Sequence, residues 1–411
     1  MRTVIYSLLL TVIPLGPLAA QEKKIPVSGK ADAELAPFDD LMLTFMAAHK
    51  VPGAALAVAK DGRLVYARGF GYADEQMTLG VQSRMRFRIA SISKPITAAM
   101  ILRLIEMGLL KMSDNPFAVL KIPLPADADP RLRKITIEHL LHHTAGWDRS
   151  VSFDPMFRPI LIAKEQNVDA PAKPLDIIHY MTKRKLDFDP GARYAYSNFG
   201  YCLLGRVIEK ATGQTYEAAV QKHVFDPIGV KHTLLGQTLK SAKDEVHYFD
   251  DKKGTAVLGP DKGKPVARPY GAWYLEAMDA HGGWISTAPE LVRFASAFDH
   301  PEKCKILKPA SIKLMLTPPE GIIVSKKDAE VGYACGWNVR KAGDGKVTTW
   351  HDGALDGTAT ILVRRADGLT CAVLFNSRTN ANGTHLGALI DPLVHQAANR
   401  VKRWPERDLF E

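Results

Sequence analysis

Apolar residues near the start of the chain recur first at helical and then at strand spacing. Residues 33–50 have a helical pattern that ends before Pro52 and Gly53. Residues 53–74 contain two strand-like runs around Asp61-Gly62, which predicts a β-hairpin. Residues 88–110 then predict a short strand leading into a helix that is apolar on nearly every face. Such a helix belongs in a core.

Strand-like runs return in the last quarter of the chain. They cover about 331–340, 346–353, 358–368 and 369–376, and glycines separate most of them. Short runs between glycine turns predict an antiparallel meander. A final helical pattern covers about 384–402. We therefore expect helices from both chain ends to pack on one antiparallel sheet.

The middle of the chain has a different character. Between about 113 and 277, loops with Pro and Lys join helical patterns at 136–142, 174–183, 199–212 and 216–223. The segment 250–271 is rich in Gly, Pro and Lys and predicts an exposed, mobile loop. The predicted fold is α+β, with an α/β lobe (about 33–112 plus 278–403) and an inserted all-α lobe (about 113–277).

The first twenty residues have the layout of a secretory signal peptide. Arg2 precedes an apolar stretch that prolines interrupt and that ends in Ala19-Ala20. The stretch is short for a membrane span. Leu18 at the −3 position leaves a retained N-terminal anchor as the alternative. We predict export to the periplasm or the exterior, with residues 21–411 as the mature domain and no stable membrane span.

Charge and cysteine content exclude several function classes. The formal charge is +10, but the basic residues are scattered and form no stripe, so nucleic-acid binding is not expected. The four cysteines are far apart, with no C-x-x-C pair and no His cluster at metal spacing. One disulfide is permitted but not assigned, and we expect Cys202 to be a buried thiol. No metal or cofactor site is predicted.

The opening turn of the apolar helix carries a hydroxyl and an amine. Ser91 and Lys94 lie three residues apart, so both side chains can share one helix face. Pro95 is tolerated only near a helix start, which places Ser91 at the N-terminus. A lysine against apolar surroundings favours its neutral form and can act as a base. The alternative is a helix-capping serine with a lysine that extends to water.

Two further pairs of residues suggest chemistry. Tyr196 and Asn198 precede an apolar helix; a phenol near a lysine can exchange a proton, and a carboxamide can orient a carbonyl. His351 and Gly353 end a strand-like run, where a strand can line a cleft. The strings at His281 and His385 also read H-x-G, but they open a turn and a helix. Context favours His351.

These motifs, in this order, resemble those of the serine β-lactamase and penicillin-binding protein superfamily. The Tyr-containing second motif is similar to that of class C β-lactamases, DD-carboxypeptidases, D-aminopeptidases and related esterases. The likeness runs from about residue 35 to 395, through stretches such as LLHHTAGW, FDPIGVKHT and GGWISTAPELVRFA. It implies a mixed α/β lobe with an antiparallel sheet, a helical lobe, and an active site between them.

The resemblance also implies roles. Ser91 is the expected nucleophile, and Lys94 and Tyr196 manage its proton. The N–H of Ser91 and one from the strand near Ala354 or Leu355 form the oxyanion hole. The expected substrate-binding residues are Asn198, His351, Gly353 and Ala354. Water then hydrolyses the acyl-enzyme, and no cofactor or metal is implied.

The third motif departs from that of class C β-lactamases, which carry Lys-Thr-Gly where this chain has His351-Asp352-Gly353. If Asp352 faces the cleft, it repels substrate carboxylates, so we expect weak or no β-lactamase activity. The predicted function is an exported serine hydrolase acting on a small-molecule or peptide ester or amide. The alternatives are a peptidoglycan DD-carboxypeptidase or D-amino-acid peptidase, and a catalytically silent relative that binds a cell-wall peptide.

Overall fold

The computed structural model describes residues 24–410 except positions 326, 327, 329 and 344. The predicted signal peptide, residues 1–20, lies outside the described residues. Within them, the helices are all too short or too polar to cross a lipid bilayer.

The strands gather into one large and two small sheets. In chain order they are β1 (Val27–Ser28), β2 (Gly53–Lys60), β3 (Arg63–Gly71), β4 (Phe87–Arg88), β5 (Leu234–Leu235), β6 (Lys253–Thr255), β7 (Pro265–Ala267), β8 (Trp284–Ser286), β9 (Val331–Tyr333), β10 (Asn338–Lys341), β11 (Val347–Leu355), β12 (Thr358–Arg364) and β13 (Leu369–Phe375). In the described part of the chain the large sheet has the order β1-β3-β2-β13-β12-β11-β10-β9. Neighbouring strands of this sheet run antiparallel, which confirms the predicted sheet.

The α-helices, in the same order, are α1 (Ala36–His49), α2 (Ser93–Glu106), α3 (Pro116–Leu120), α4 (Ile137–Leu141), α5 (Pro159–Gln166), α6 (Pro174–Met181), α7 (Asn198–Thr212), α8 (Tyr216–Val220), α9 (Asp279–Gly282), α10 (Ala288–Ser296), α11 (Pro309–Met315) and α12 (Leu386–Arg400). A single π-helical turn, Gln221–Phe225, continues α8. The predicted helices near 33–50, 174–183, 199–212 and 384–402 are all present.

The predicted hairpin is β2 and β3. Lys60 pairs with Arg63, so Asp61 and Gly62 form the two-residue turn. Both have positive φ, 50° and 78°, as a type I′ turn requires. Glycine reaches such angles without a steric cost, and aspartate tolerates them better than most residues. The Asp-Gly signal therefore determined the register of this hairpin.

Helices cover both faces of the large sheet. Side chains of α1 and α12 pack against alternate residues of β2, β12 and β13, including Leu56, Ile361 and Val373. The opposite face, with Ala57 and Leu362, joins the larger core that contains α2, α7 and α10. Successive residues of a strand point to opposite faces, so a strand covered on both sides is apolar throughout. The helices from both chain ends pack together on one face, as predicted.

The middle of the chain is mostly helical but not all-helical, which corrects that part of the prediction. The segment 250–271 forms the antiparallel hairpin β6–β7, in which Lys253 pairs with Ala267, and not an irregular loop. Strand β5 pairs with β8. Strands of two or three residues are too short to show a period of two in the sequence. The lobe boundaries themselves stay predictions.

The small sheet β4-β8-β5 holds the segment before Ser91. Arg88 in β4 pairs with Ile285 in β8, and the N–H of Ile89 donates to the Trp284 carbonyl at 3.0 Å. Arg88 is itself buried, with its guanidinium 4.3 Å from the Tyr248 ring centroid and 3.6 Å from Glu245. The entry to α2 is thereby anchored on the core side.

The four cysteines are free thiols. Cys202 on α7 is buried, as predicted from its apolar surroundings. Burial raises the pKa of its thiol to about 12, which keeps the sulfur protonated and unreactive. The disulfide that the sequence permitted does not form in this structure.

Candidate active site

Ser91 lies in a tight turn that leads into α2. Residues Ala90–Ile92 form a 3-10 turn and the α-helix begins at Ser93, so Ser91 precedes the first α-helical turn. Ala90 has a φ of 46°, a left-handed conformation that strains a residue with a Cβ. The Ser93 hydroxyl donates to the Ala90 carbonyl at 2.7 Å and holds that turn. Strain of this kind persists only where surrounding contacts enforce it.

Lys94 is the most buried charged group near Ser91. Its side chain is 0% exposed, and Nζ lies 3.2 Å from Ser91 Oγ, 2.8 Å from Asn198 Oδ1 and 2.9 Å from the His281 carbonyl oxygen. Burial lowers the pKa of Lys94 well below its usual value, and the positive charge of Arg149 lowers it further. A neutral amine within reach of a hydroxyl is a proton acceptor.

Tyr196 covers Lys94 on the side of the cleft. Lys94 Nζ lies 4.6 Å from the centroid of the Tyr196 ring. Burial raises the pKa of Tyr196 well above its usual value, although a hydrogen bond with Ser91 opposes the rise. The phenol is therefore neutral and holds its proton. Both Lys94, with its lowered pKa, and Tyr196, with its raised pKa, lie next to the Ser91 hydroxyl. Their environments therefore suit Lys94 to act as a base and Tyr196 to act as an acid.

Asn198 connects Lys94 to a residue that the sequence analysis missed. It is the first residue of α7, after Ser197, whose hydroxyl caps the helix. Asn198 Oδ1 accepts from Lys94 Nζ, and Asn198 Nδ2 donates to Asp154 Oδ2 at 2.7 Å. The carboxamide orientation is thus determined by a donor on one side and an acceptor on the other. Asp154 also caps the 3-10 turn Pro155–Phe157, the one local signal that pointed to it.

His351 lies in β11 beside the cleft and is 2% exposed. Its Nδ1 donates to the Asp352 carbonyl at 2.6 Å, so Nε2 accepts from the Tyr333 hydroxyl at 3.1 Å. Burial lowers the pKa of His351 to about 4, against the raising effect of the Asp352 charge. The imidazole is therefore neutral at pH 7, unlike the lysine of the Lys-Thr-Gly motif.

Gly353 lets β11 approach the Ser91 turn. A Cβ at this position would lie 2.3 Å from the Ile89 carbonyl oxygen and 2.3 Å from Thr360 Oγ1. Both distances are far below van der Waals contact, so any side chain would push the strand away. Strand β10 pairs with β11 only as far as Trp350, which leaves residues 351–355 unpaired on that edge. The oxyanion-hole role of Ala354 or Leu355 stays a prediction.

The cleft in front of Ser91 has a volume of about 410 Å³. It is lined by predicted site residues (Ser91, Tyr196, Asn198, His351 and Ala354) and by Asp352 and Leu355, which the sequence analysis considered for the cleft. The lining residues that sequence reasoning missed are Arg149, Phe157, Tyr194, Asp356 and Arg378. The seven predicted site residues therefore converge, with Lys94 beneath the cleft floor and Gly353 behind its wall.

The H-x-G string at His281 also contributes to the site, but through its backbone. Its backbone carbonyl, and not its ring, accepts from Lys94. The third H-x-G string, at His385, lines the neighbouring cavity. Trp147, Trp273 and Trp284 are buried core residues.

Comparison with known proteins agrees with this geometry. Residues 38–394 match the family model described as Beta-lactamase. The chain belongs to the β-lactamase family. It is a hydrolase of the serine β-lactamase fold, and its motif resemblance to β-lactamases and penicillin-binding proteins is confirmed.

Curated relatives include two penicillin-binding proteins. Penicillin-binding protein 4 of Amycolatopsis lactamdurans is 30% identical over 339 residues, which cover 80% of this chain and 81% of the relative. Penicillin-binding protein 4* of Bacillus subtilis is 28% identical over 327 residues, 78% of this chain and 66% of the relative. A fimbrial assembly protein FimD of Dichelobacter nodosus is 39% identical over 139 residues, but the match spans only 32% of its length.

Solved structures share the fold. The octameric penicillin-binding protein homologue from Pyrococcus abyssi has a TM-score of 0.66 and 26% identity, covering 88% of this chain and 77% of that one. The D-amino acid amidase from Ochrobactrum anthropi has a TM-score of 0.67 at 19% identity, covering 90% and 99%. At that identity the amidase supports the fold alone.

Proposed function

We propose that the protein is an exported serine hydrolase that cleaves an ester or amide through an acyl-enzyme on Ser91. The observation that carries the proposal is Lys94, fully buried, with Nζ 3.2 Å from Ser91 Oγ and its pKa lowered by burial. A buried charge is costly unless it is used or neutralised. A neutral Lys94 removes that cost and supplies the base that a serine nucleophile requires.

The residues then act in sequence. Ser91 Oγ bonds to the substrate carbonyl carbon while its proton passes to Lys94 Nζ. Backbone N–H groups of Ser91 and of the β11 edge near Ala354 or Leu355 stabilise the oxyanion. The C–O or C–N bond breaks as Tyr196, with Lys94, returns a proton to the leaving group. Water then attacks the acyl-enzyme by the same proton path and regenerates Ser91.

The experiment is covalent labelling with a fluorophosphonate, followed by turnover of a neutral ester, 4-nitrophenyl butyrate. Wild type should label and hydrolyse, and Ser91→Ala should do neither. The matched control is Ser241→Ala, which removes an exposed hydroxyl outside the cleft. Wild-type protein that neither labels nor hydrolyses would favour the silent peptide-binding relative.

A D-amino-acid peptidase or DD-carboxypeptidase is the second candidate. It is supported by the names of two curated relatives, which are penicillin-binding proteins. Assay of D-alanyl-D-alanine peptides and D-amino-acid amides beside nitrophenyl esters separates the two. Nitrocefin should be a poor substrate, and rapid nitrocefin hydrolysis would contradict the effect assigned to Asp352.

A further inference from the structure

Two unpaired charges of opposite sign line the cleft, and neither has a role in the proposed reaction. Arg149 and Asp352 both border it. Across the described residues, no side chain of opposite charge lies within ion-pair distance of either. The other charged lining residues are satisfied, since Arg378 pairs with Asp356 at 2.9 Å.

Arg149 is held in position although its side chain is exposed. Its guanidinium carbon lies 4.7 Å from the centroid of the Tyr196 ring, so it stacks on a predicted catalytic side chain. The neighbouring Arg193 instead pairs with Asp148 at 2.8 Å. Of these two arginines, only Arg149 presents unused donors to the cleft, in the planar arrangement that binds carboxylates with two hydrogen bonds.

Asp352 borders the same cleft from β11. Its backbone carbonyl is occupied by His351 Nδ1, but its carboxylate accepts no hydrogen bond from the described residues. The charges of Arg149 and Asp352 act in opposite directions on the pKa values of both Lys94 and Tyr196, so both are close to the reacting atoms. A substrate bound between them is exposed to a positive group on one side and a negative group on the other.

We propose that the cleft selects a zwitterionic substrate, whose carboxylate binds Arg149 and whose ammonium group binds Asp352. The inference rests on the proposed function, in that Ser91 lines the same cleft as the two charges. A short peptide with free termini carries both groups. Space for it exists, since the cleft shares Asp352, Ala354, Asp356 and Arg378 with an adjoining cavity of about 780 Å³.

The test is calorimetric binding to the full chain carrying Ser91→Ala, which separates recognition from turnover. The probes are alanyl-alanine in four forms: both ends free, C-terminus amidated, N-terminus acetylated, and both blocked, each as L,L and D,D. The form with both ends free should bind most tightly. Blocking either end should weaken binding about tenfold, the loss of one charge-assisted pair.

Substitutions test which residue of the protein recognises each terminal charge of the peptide. Added to Ser91→Ala, Arg149→Gln should remove the effect of C-terminal amidation, and Asp352→Asn should remove the effect of N-terminal acetylation. Arg193→Gln is the matched control, because it removes an arginine that is already paired, and it should leave both effects intact. Arg149→Lys should retain part of the amidation effect, since it keeps the positive charge but not the planar guanidinium that makes two hydrogen bonds.

Three results would overturn the proposal: equal binding of the four forms, no binding of any form, or equal weakening of all four by Arg149→Gln. Failure of the proposed function looks different. In that case the charge dependence is present in Ser91→Ala protein, while the wild type hydrolyses 4-nitrophenyl butyrate no faster than Ser91→Ala.

Discussion

The two walls of the cleft are built on opposite principles. On the helical side, Lys94 is fully buried and each of its three close contacts is an oxygen atom. On the strand side, Asp352 is exposed and has no ion-pair partner among the described residues. Burial strengthens the electrostatic interactions of Lys94, whereas solvent screens the charge of Asp352. We therefore expect the helical side to carry out the bond-breaking step and the strand side to select the substrate.

The largest effect is expected from Lys94→Met, which keeps the volume of the side chain and removes the amine. Removal of a general base lowers turnover of 4-nitrophenyl butyrate by about 1000-fold. Steady-state kinetics give the number, and thermal unfolding checks the fold. Lys164→Met, on the exposed face of α5, is the control. Activity equal to wild type in a folded Lys94→Met protein would exclude Lys94 as the base.

Gly353→Ala tests whether the strand wall must touch the Ser91 turn. The added Cβ meets backbone oxygen of Ile89 at 2.3 Å, so β11 must move. We expect kcat to fall about 100-fold, since a shift of about 1 Å at the oxyanion position has that cost. Overpacking should also destabilise the protein by about 1–3 kcal/mol. Gly80→Ala, whose Cβ has no neighbour closer than 3.9 Å, should change neither quantity.

Acid should destabilise the protein through buried histidines such as His142. Burial lowers the pKa of His142 to about 4, so the unfolded chain binds a proton that the folded protein excludes. The stability contributed by neutral His142 is full above about pH 6.5 and is lost as the pH falls toward 4. Wild type should lose up to about 1.4 kcal/mol per pH unit more than His142→Gln in this window.

Urea unfolding at several pH values measures that difference. His179→Gln removes an exposed histidine of α6 and should follow the wild-type curve. Parallel curves for wild type and His142→Gln would mean that His142 takes up its proton equally in both states.

The smallest effect is expected from Asp352→Asn on the exposed wall. Loss of the negative charge should raise the ratio of kcat/KM for mono-4-nitrophenyl glutarate over 4-nitrophenyl butyrate by about threefold, as for other exposed charges. The gain should shrink with added salt. Asp261→Asn, on the β6–β7 connection, is the charge-matched control. A ratio that does not move would place Asp352 outside the reach of the substrate.

Local signals were enough for much of the fold. Asp61-Gly62 determined a hairpin because turn geometry depends on two neighbouring residues. The helical period over 33–50 and 384–402 located α1 and α12, and strand-like runs between glycines located β11 to β13. By contrast, β6 and β7 lie in a stretch whose Gly, Pro and Lys content favoured a loop. Their pairing depends on a partner strand ten residues away, which local propensity does not report.

The site residues also fall into two groups, those that a short sequence motif identifies and those that only the folded chain brings together. Ser91 and Lys94, or Tyr196 and Asn198, are recognisable because each pair is short in sequence and matches a family motif. Asp154 reaches Asn198 across 44 residues, and the His281 carbonyl reaches Lys94 across 187. Contacts over such distances follow no fixed sequence spacing. A backbone carbonyl is present in every residue, so the sequence cannot mark it as part of a site.

The sequence by itself determined the order of elements, the motif residues and the family. Only the tertiary structure decided that Lys94 is buried, that His351 is neutral, and that Arg149 and Asp352 border one cleft with no ion-pair partner among the described residues. The reason is physical. A motif specifies which groups are present, whereas pKa, desolvation and charge pairing depend on what the folded chain places around each group.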